Sequence, residues 1–172
     1  MYVFLDTEFI PAEAAEPAWL LSIGLCSEAG HEFYREVEAS VEVLSCAKVN
    51  GLLIREEVLP QLGRQASCIA EPQSIARDLA AWLDGLGASD IEVCYDFHVD
   101  YDLLEELLAL VASPTAATLC PTHVGYLNKD EELEAAATAC FASLEAERGI
   151  RRHHALADAF ALRAKFWAAH GQ

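Results

Sequence analysis

Residues 2–9 read YVFLDTEF, residues 19–26 WLLSIGLC and residues 31–37 HEFYREV. In the first, Val3 and Leu5 fall on one face and Phe4, Asp6 and Glu8 on the other, the two-residue period of a strand. The second is a near-continuous apolar run, as a strand covered on both faces requires. Glu28-Ala29-Gly30 is a turn signal, so the third segment returns along the second as a hairpin. The chain therefore opens as an antiparallel three-strand unit.

Beyond it the pattern alternates. Lys48 to Gln65 is mixed, with one short helix ending near Pro60 and Gly63. Glu71-Pro72-Gln73-Ser74 opens a helix in which Ile75, Leu79, Trp82, Leu83 and Leu86 recur at helical spacing, closed by Gly85 and Gly87. Ile91 to Phe97 is a fourth strand. A helix over Asp102 to Val111 carries Leu103, Leu104, Leu107, Leu108 and Val111, and Ser113-Pro114 stops it. A short fifth strand is expected over Thr115 to Leu119, then an Ala-rich helix over Glu131 to Arg148 broken by Gly149, then a last helix over His154 to Ala169. This order predicts an α/β fold: a mixed five-stranded sheet with an antiparallel opening, flanked by helices, in a single domain over residues 1–172.

Hydrophobic residues make up 53% and charged residues 23% of the 172, enough for one core and too apolar for disorder. Lys+Arg 11 against Asp+Glu 28 gives a net charge of −17. That excludes a protein holding nucleic acid through its own phosphate contacts alone. A polyanionic ligand would need imported positive charge, for which divalent metal is the candidate, although an acid excess also serves plain solubility. The six cysteines (Cys26, Cys46, Cys68, Cys94, Cys120, Cys140) form no CxxC pair, and several sit in apolar surroundings. The start MYVFLDTEF lacks a basic n-region and a long apolar core. Together these predict reduced thiols in a cytoplasmic protein without a secretion signal. No apolar run nears the ~20 residues of a membrane span.

Three clusters carry candidate chemistry. Asp6 and Glu8 project from the same side of the first strand, a spacing suited to one divalent ion. Two acids inside an apolar strand are costly unless paired or coordinated, unless they lie past its end in an exposed loop. Tyr95-Asp96-Phe97-His98-Val99-Asp100-Tyr101-Asp102 places three acids where a strand hands over to a helix. That is a ligand position in α/β folds, and also a position where Asp simply caps a helix. In Arg151-Arg152-His153-His154-Ala155-Leu156-Ala157-Asp158-Ala159, Asp158 falls one turn into the last helix and His153 stands five residues ahead of it. The small residues Ala155, Ala157, Ala159 and Ala161 permit close approach to the sheet. The alternative is that Asp158 pairs with Arg151 or Arg152 on the surface.

In this order and on this framework, the clusters resemble the DEDDh (DnaQ-like) 3′–5′ exonucleases of the ribonuclease H-like fold. Phe4-Leu5-Asp6-Thr7-Glu8-Phe9 matches the first motif, an apolar strand with D-x-E. His153-His154-Ala155-Leu156-Ala157-Asp158-Ala159 matches the third, H-x-A-L-x-D-A, in full. The second motif usually reads H-N-x-x-F-D-x-x-F-L. Here Tyr95-Asp96 replaces its His-Asn and Val99 its Phe, and Leu103 and Leu104 place its aspartate at Asp100 rather than Asp102. The opening DTEFI followed by WLLSIGLCSEAGHEFYREV is most similar to the small stand-alone bacterial 3′–5′ exoribonucleases, and the resemblance covers essentially the whole chain.

The resemblance implies two Mg²⁺ or Mn²⁺ ions between the carboxylates and a scissile phosphate. Asp6 would bridge them, Glu8 and Asp158 would complete one site, and Asp100 would hold the second ion largely through waters. His153 would be the general base. Thr7, Phe9 and Leu20 would contact substrate, with Phe9 and Leu20 wedged against the terminal base by stacking of about 1–3 kcal/mol; from its own residue type Leu20 reads more readily as core. The implied substrate is nucleic acid with a free 3′ end, RNA favoured over DNA, and the product a nucleoside monophosphate. A homodimer is common in that family. Two alternatives stay open: a small-substrate phosphodiesterase acting on dinucleotides, and a catalytically silent nucleic-acid-binding module on the same fold.

Overall fold

Tyr2–Ile10 (β1) runs through the interior of a six-stranded mixed sheet, order β4-β3-β2-β1-β5-β6. This computed structural model describes residues 1–11, 18–38, 51–112 and 115–171. Trp19–Ser27 (β2) pairs antiparallel with β1, and Glu32–Val37 (β3) antiparallel with β2. The hairpin turns at Gly30, whose φ of 89° is left-handed and suits glycine. On the other side Asp90–Tyr95 (β5) lies parallel to β1, and Thr118–His123 (β6) parallel to β5. The antiparallel opening stands as expected. The strand count is corrected from five to six, because Ile69–Ala70 (β4) adds a two-residue parallel pairing at the edge of β3. A pairing that short leaves no alternation to detect.

Among the described residues four α-helices flank the sheet: Pro72–Gly85 (α1), His98–Leu108 (α2), Glu131–Arg148 (α3) and Ala155–Ala169 (α4). The alternation in β1 divides the core. Val3 and Leu5 pack with Ile23, Leu25, Ile75, Leu79, Leu83, Leu104 and Leu107 beneath α1 and α2. Phe4 packs with Cys26, Cys94, Leu133, Leu162 and Phe166 beneath α3 and α4. Cys26 and Cys94 are buried free thiols, Cys68, Cys120 and Cys140 are half-buried ones, and Cys46 lies outside the described residues. Among the described residues, no helix is long and apolar enough to cross a membrane.

Two boundaries move. α2 begins at His98 and not at Asp102, because Tyr101 joins the buried leucine stripe one turn earlier. Asp100 consequently sits in the first turn, 2% exposed, while Asp102 is an exposed position inside the helix. β6 lies a few residues beyond the expected Thr115 to Leu119 and contains Pro121, which an edge strand tolerates because one side of its ladder is unpaired. The expected helix stop at Ser113-Pro114 falls outside the described residues.

The start of α4 lies against β2 at Gly24. A Cβ on Gly24 would stand 2.3 Å from the Ala155 carbonyl carbon and from the Leu156 nitrogen. Gly24 is also the register partner of Asp6 across β1 and β2. Ala155, Ala157 and Ala159 are fully buried, so small residues on both surfaces let the helix start settle onto β2. Gly24→Ala is therefore expected to destabilise the protein by about 3 kcal/mol, as overpacking against rigid backbone does. Chemical denaturation checks this, and an unchanged midpoint would mean that α4 shifts without cost.

Candidate functional site

Asp6 and Glu8 lie inside β1, which continues to Ile10, so they are strand residues and not part of a following loop. A register shift between Glu8 and Phe9 bulges the strand just beyond them, a device that re-aims side chains at sheet ends. Opposite, α4 delivers Asp158 from its first turn, and the turn from β5 into α2 delivers Asp96 and Asp100. Ligand-type atoms of Glu8, His153 and Asp158 all lie within 4.8 Å of one another, as do those of Asp6, Asp96 and Asp100. The structure brings Asp6, Glu8, Asp100, Asp158 and His153 to one place. The surface-pair alternative for Asp158 does not hold: Arg151 pairs with Glu57 and Arg152 with Glu134.

Two of the acids, Asp100 and Asp158, are held from behind. The Thr7 hydroxyl donates to Asp100 Oδ1 at 2.6 Å, and the Thr7 N–H donates to the same oxygen at 3.2 Å. Thr7, expected to touch substrate, is itself buried and orients Asp100. Asp158 Oδ2 accepts the N–H groups of His153 at 2.7 Å and His154 at 3.1 Å. His153 has φ 65°, left-handed for a residue with a side chain. Such strain persists where the surroundings over-determine it. Here the buried Gln61 does so, its Nε2 donating to the carbonyls of Arg152 at 2.8 Å and His153 at 2.9 Å, and its Oε1 accepting the Arg151 N–H at 3.1 Å.

Burial dominates the electrostatics. It raises Glu8 to about 8, with Asp158 and Asp100 adding repulsion. Asp100 and Asp158 each rise to about 7 by burial, against the lowering effect of the N–H and hydroxyl groups donating to them. Asp6 is raised well above the usual carboxylate range, by burial and then by the charges of Asp158, Asp100, Glu8 and Asp96. Among the described residues no Lys or Arg forms an ion pair with these acids. A carboxylate donor set, half-buried except for the buried Asp100 and without an ion-paired Lys or Arg among the described residues, suits a hard divalent ion such as Mg²⁺ or Mn²⁺. His153 is held below its ordinary value by burial and then by Arg152, so its imidazole is largely neutral at pH 7.

Phe9 lies parallel to Phe97, rings 6.1 Å apart and 6° from coplanar, and Phe97 is 48% exposed at the rim. Leu20 is the register partner of Phe9 and packs against the core beneath α1 and α2. Several neighbours carried no sequence signal for this site. Asn128 donates to Asp96 Oδ2 at 2.9 Å, and Lys165 donates to Asn128 Oδ1 at 2.9 Å. A cleft of about 290 Å³ joins these residues to Asp6, Asp158 and His153. Asp96 itself was visible at the end of the fourth strand. Lys165 follows Asp158 by two helical turns on one face, a spacing that is legible once Asp158 is placed. No protein-family model and no curated protein matches the chain.

Proposed function

We propose that this chain is a metal-dependent 3′–5′ exonuclease of the DEDDh type on a ribonuclease H-like fold, with RNA the favoured substrate. One observation carries the reading: three segments distant in sequence converge so that Glu8, His153 and Asp158 form one ligand-spaced group and Asp6, Asp96 and Asp100 a second. Asp6, Glu8, Asp100 and Asp158 would hold two divalent ions, and Asp96 offers a fifth carboxylate where the family has asparagine. When bound, such ions neutralise the phosphate and lower the pKa of the attacking water. His153, neutral at pH 7 and braced by Gln61, takes the proton from that water. The carboxylates, raised by burial, give up protons as metal enters, so apparent affinity rises with pH between about 6 and 8. Phe9 and Phe97 offer apolar ring surface beside the acids for the terminal base. The free thiols fit a reducing cytoplasm.

Digestion of 5′-labelled and 3′-labelled RNA and DNA tests the reading, with Mg²⁺, Mn²⁺ or EDTA present. A 5′ label is expected to shorten stepwise, a 3′ label to appear at once as mononucleotide, and EDTA to stop both. Metal-independent hydrolysis, or shortening from the 5′ end, would sink it. The small cleft and the charge of −17 favour a second reading, a phosphodiesterase restricted to dinucleotides. Rates on a dinucleotide and a 20-mer separate the two.

The assignment within the second motif has its own test. Asp100→Ala is expected to cost at least about 10²-fold in turnover. Asp102→Ala, at an exposed helix position, is expected to stay within about 0.5 kcal/mol of wild-type stability and to keep its turnover. The reverse pattern in labelled-oligonucleotide assays would move the ligand to Asp102.

A further inference from the structure

Three residues beside the carboxylates form an ion triad that the proposed hydrolysis does not use. Lys165 is 8% exposed, an expensive place for an ammonium group, and donates to Glu134 Oε2 at 2.7 Å and to Asn128 Oδ1. Arg152 donates to the other oxygen, Glu134 Oε1, while its guanidinium lies over the Phe141 ring at 5.1 Å. One carboxylate thus places its two oxygens between two cations, in the wall of the cleft that also holds Asp6, Asp158 and His153. In a chain with 11 Lys and Arg against 28 Asp and Glu, these are the cations that line that cleft.

Glu134 is the movable partner. It sits in the first turn of α3, its side chain is 42% exposed, and it can swing outward, whereas Lys165 is fixed by packing on α4. A phosphodiester presents two anionic oxygens much as a carboxylate does, and it would accept from Arg152 and Lys165 in the same way. A strand bound with its free 3′ end at the carboxylates carries its next phosphate on the 5′ side, since the terminal sugar ends in a hydroxyl.

We propose that Arg152 and Lys165 form a subsite for the phosphodiester one step upstream of the scissile bond, and that Glu134 occupies it until substrate displaces it. The proposal rests on the exonuclease reading above. Lys165 also reaches the carboxylate cluster through Asn128 and Asp96, so filling the subsite bears on how Asp96 is held.

The test uses two fluorescent ribotrinucleotides that differ only at the upstream linkage, a phosphodiester in one and a neutral methylphosphonate in the other. Binding is read by anisotropy with Ca²⁺, and KM and kcat with Mn²⁺. Wild type is expected to bind the phosphodiester about tenfold or more tighter, the scale of a charge-assisted hydrogen bond. In Arg152→Gln and Lys165→Gln that ratio collapses toward one. Glu134→Gln removes the competitor and tightens binding of the phosphodiester trinucleotide while leaving the methylphosphonate unimproved. This gain is the opposite of what loss of a purely structural ion triad would do. Equal wild-type affinity for both trinucleotides, or weaker phosphodiester binding in Glu134→Gln, overturns the subsite. Discriminating binding without hydrolysis under any metal would instead overturn the exonuclease reading and leave the subsite standing.

Discussion

Asp6→Asn is expected to abolish hydrolysis of a labelled oligonucleotide while raising the melting temperature of the metal-free protein at pH 8 by about 5 °C. Asp6 is raised well above the usual carboxylate range, by burial first and then by the charges of Asp158, Asp100, Glu8 and Asp96. A carboxyl whose folded pKa lies above its unfolded value of about 3.9 binds more protons folded than unfolded in the window between the two. Stability of the metal-free protein therefore falls as pH rises from about 4 through the folded values, which reach about 7 for Asp100 and Asp158 and about 8 for Glu8. Asparagine keeps the shape and removes one charge from that cluster. The gain should be present at pH 8 and vanish near pH 4, where Asp6, Glu8, Asp100 and Asp158 are protonated in the fold. At roughly 2–4 °C per kcal/mol for a chain of this size, a gain near 5 °C corresponds to a small part of the repulsion. Mn²⁺ reverses the ranking: it stabilises wild type by binding only the folded state, and Asp6→Asn much less. Melts with and without Mn²⁺ at the two pH values decide. A wild type indifferent to Mn²⁺ would leave the acids without a metal role.

What the sequence carried was local periodicity, and it placed the elements that have one. The alternation of Val3 and Leu5 against Phe4, Asp6 and Glu8 assigns β1 two faces, and both cores form on those faces. The Ala-rich run of α3 and the break at Gly149 fall where they were read, Gly149 being left-handed at φ 70°. The rest is non-local. Gly24 reads as an ordinary strand residue until α4 is laid across it. Gln61, in a segment of mixed pattern, matters only through the backbone groups of Arg151, Arg152 and His153 some ninety residues away. α2 starts before Asp102 because Asp in this stretch reads as a helix cap until Tyr101, between Asp100 and Asp102, is found buried. The carboxylates were readable because acids in apolar strands and helix starts are anomalous wherever they occur. The cations that face them are anomalous only in three dimensions. Lys165 looks like any lysine near a helix end, and its burial appears only in the fold.

His153 carries the second large effect: His153→Ala is expected to lower kcat by roughly 10²–10⁴-fold, the usual cost of losing a general base. Alanine keeps the Cβ that disfavours a left-handed position and disturbs the turn as well, so His153→Asn is the cleaner variant, since asparagine tolerates that conformation and cannot take up the proton at neutral pH. Equal losses in the two variants would assign the effect to the imidazole and not to the loop. Metal stabilisation should persist in both, because the oxygen donors Asp6, Glu8, Asp100 and Asp158 remain. The pH profile gives the sign. Burial and Arg152 hold His153 below 6.5, so in wild type with saturating Mn²⁺ kcat should climb on the acid side of neutrality as the imidazole loses its proton, then level off. That rise should be missing in His153→Asn. His154→Ala provides the contrast: its ring is buried against Tyr34 at 4.4 Å, so the change should weaken the fold and leave the rising limb in place. Full activity and an unchanged limb in His153→Asn would mean that another group takes the proton, and the left-handed turn held by Gln61 would then serve only to bring two N–H groups onto Asp158.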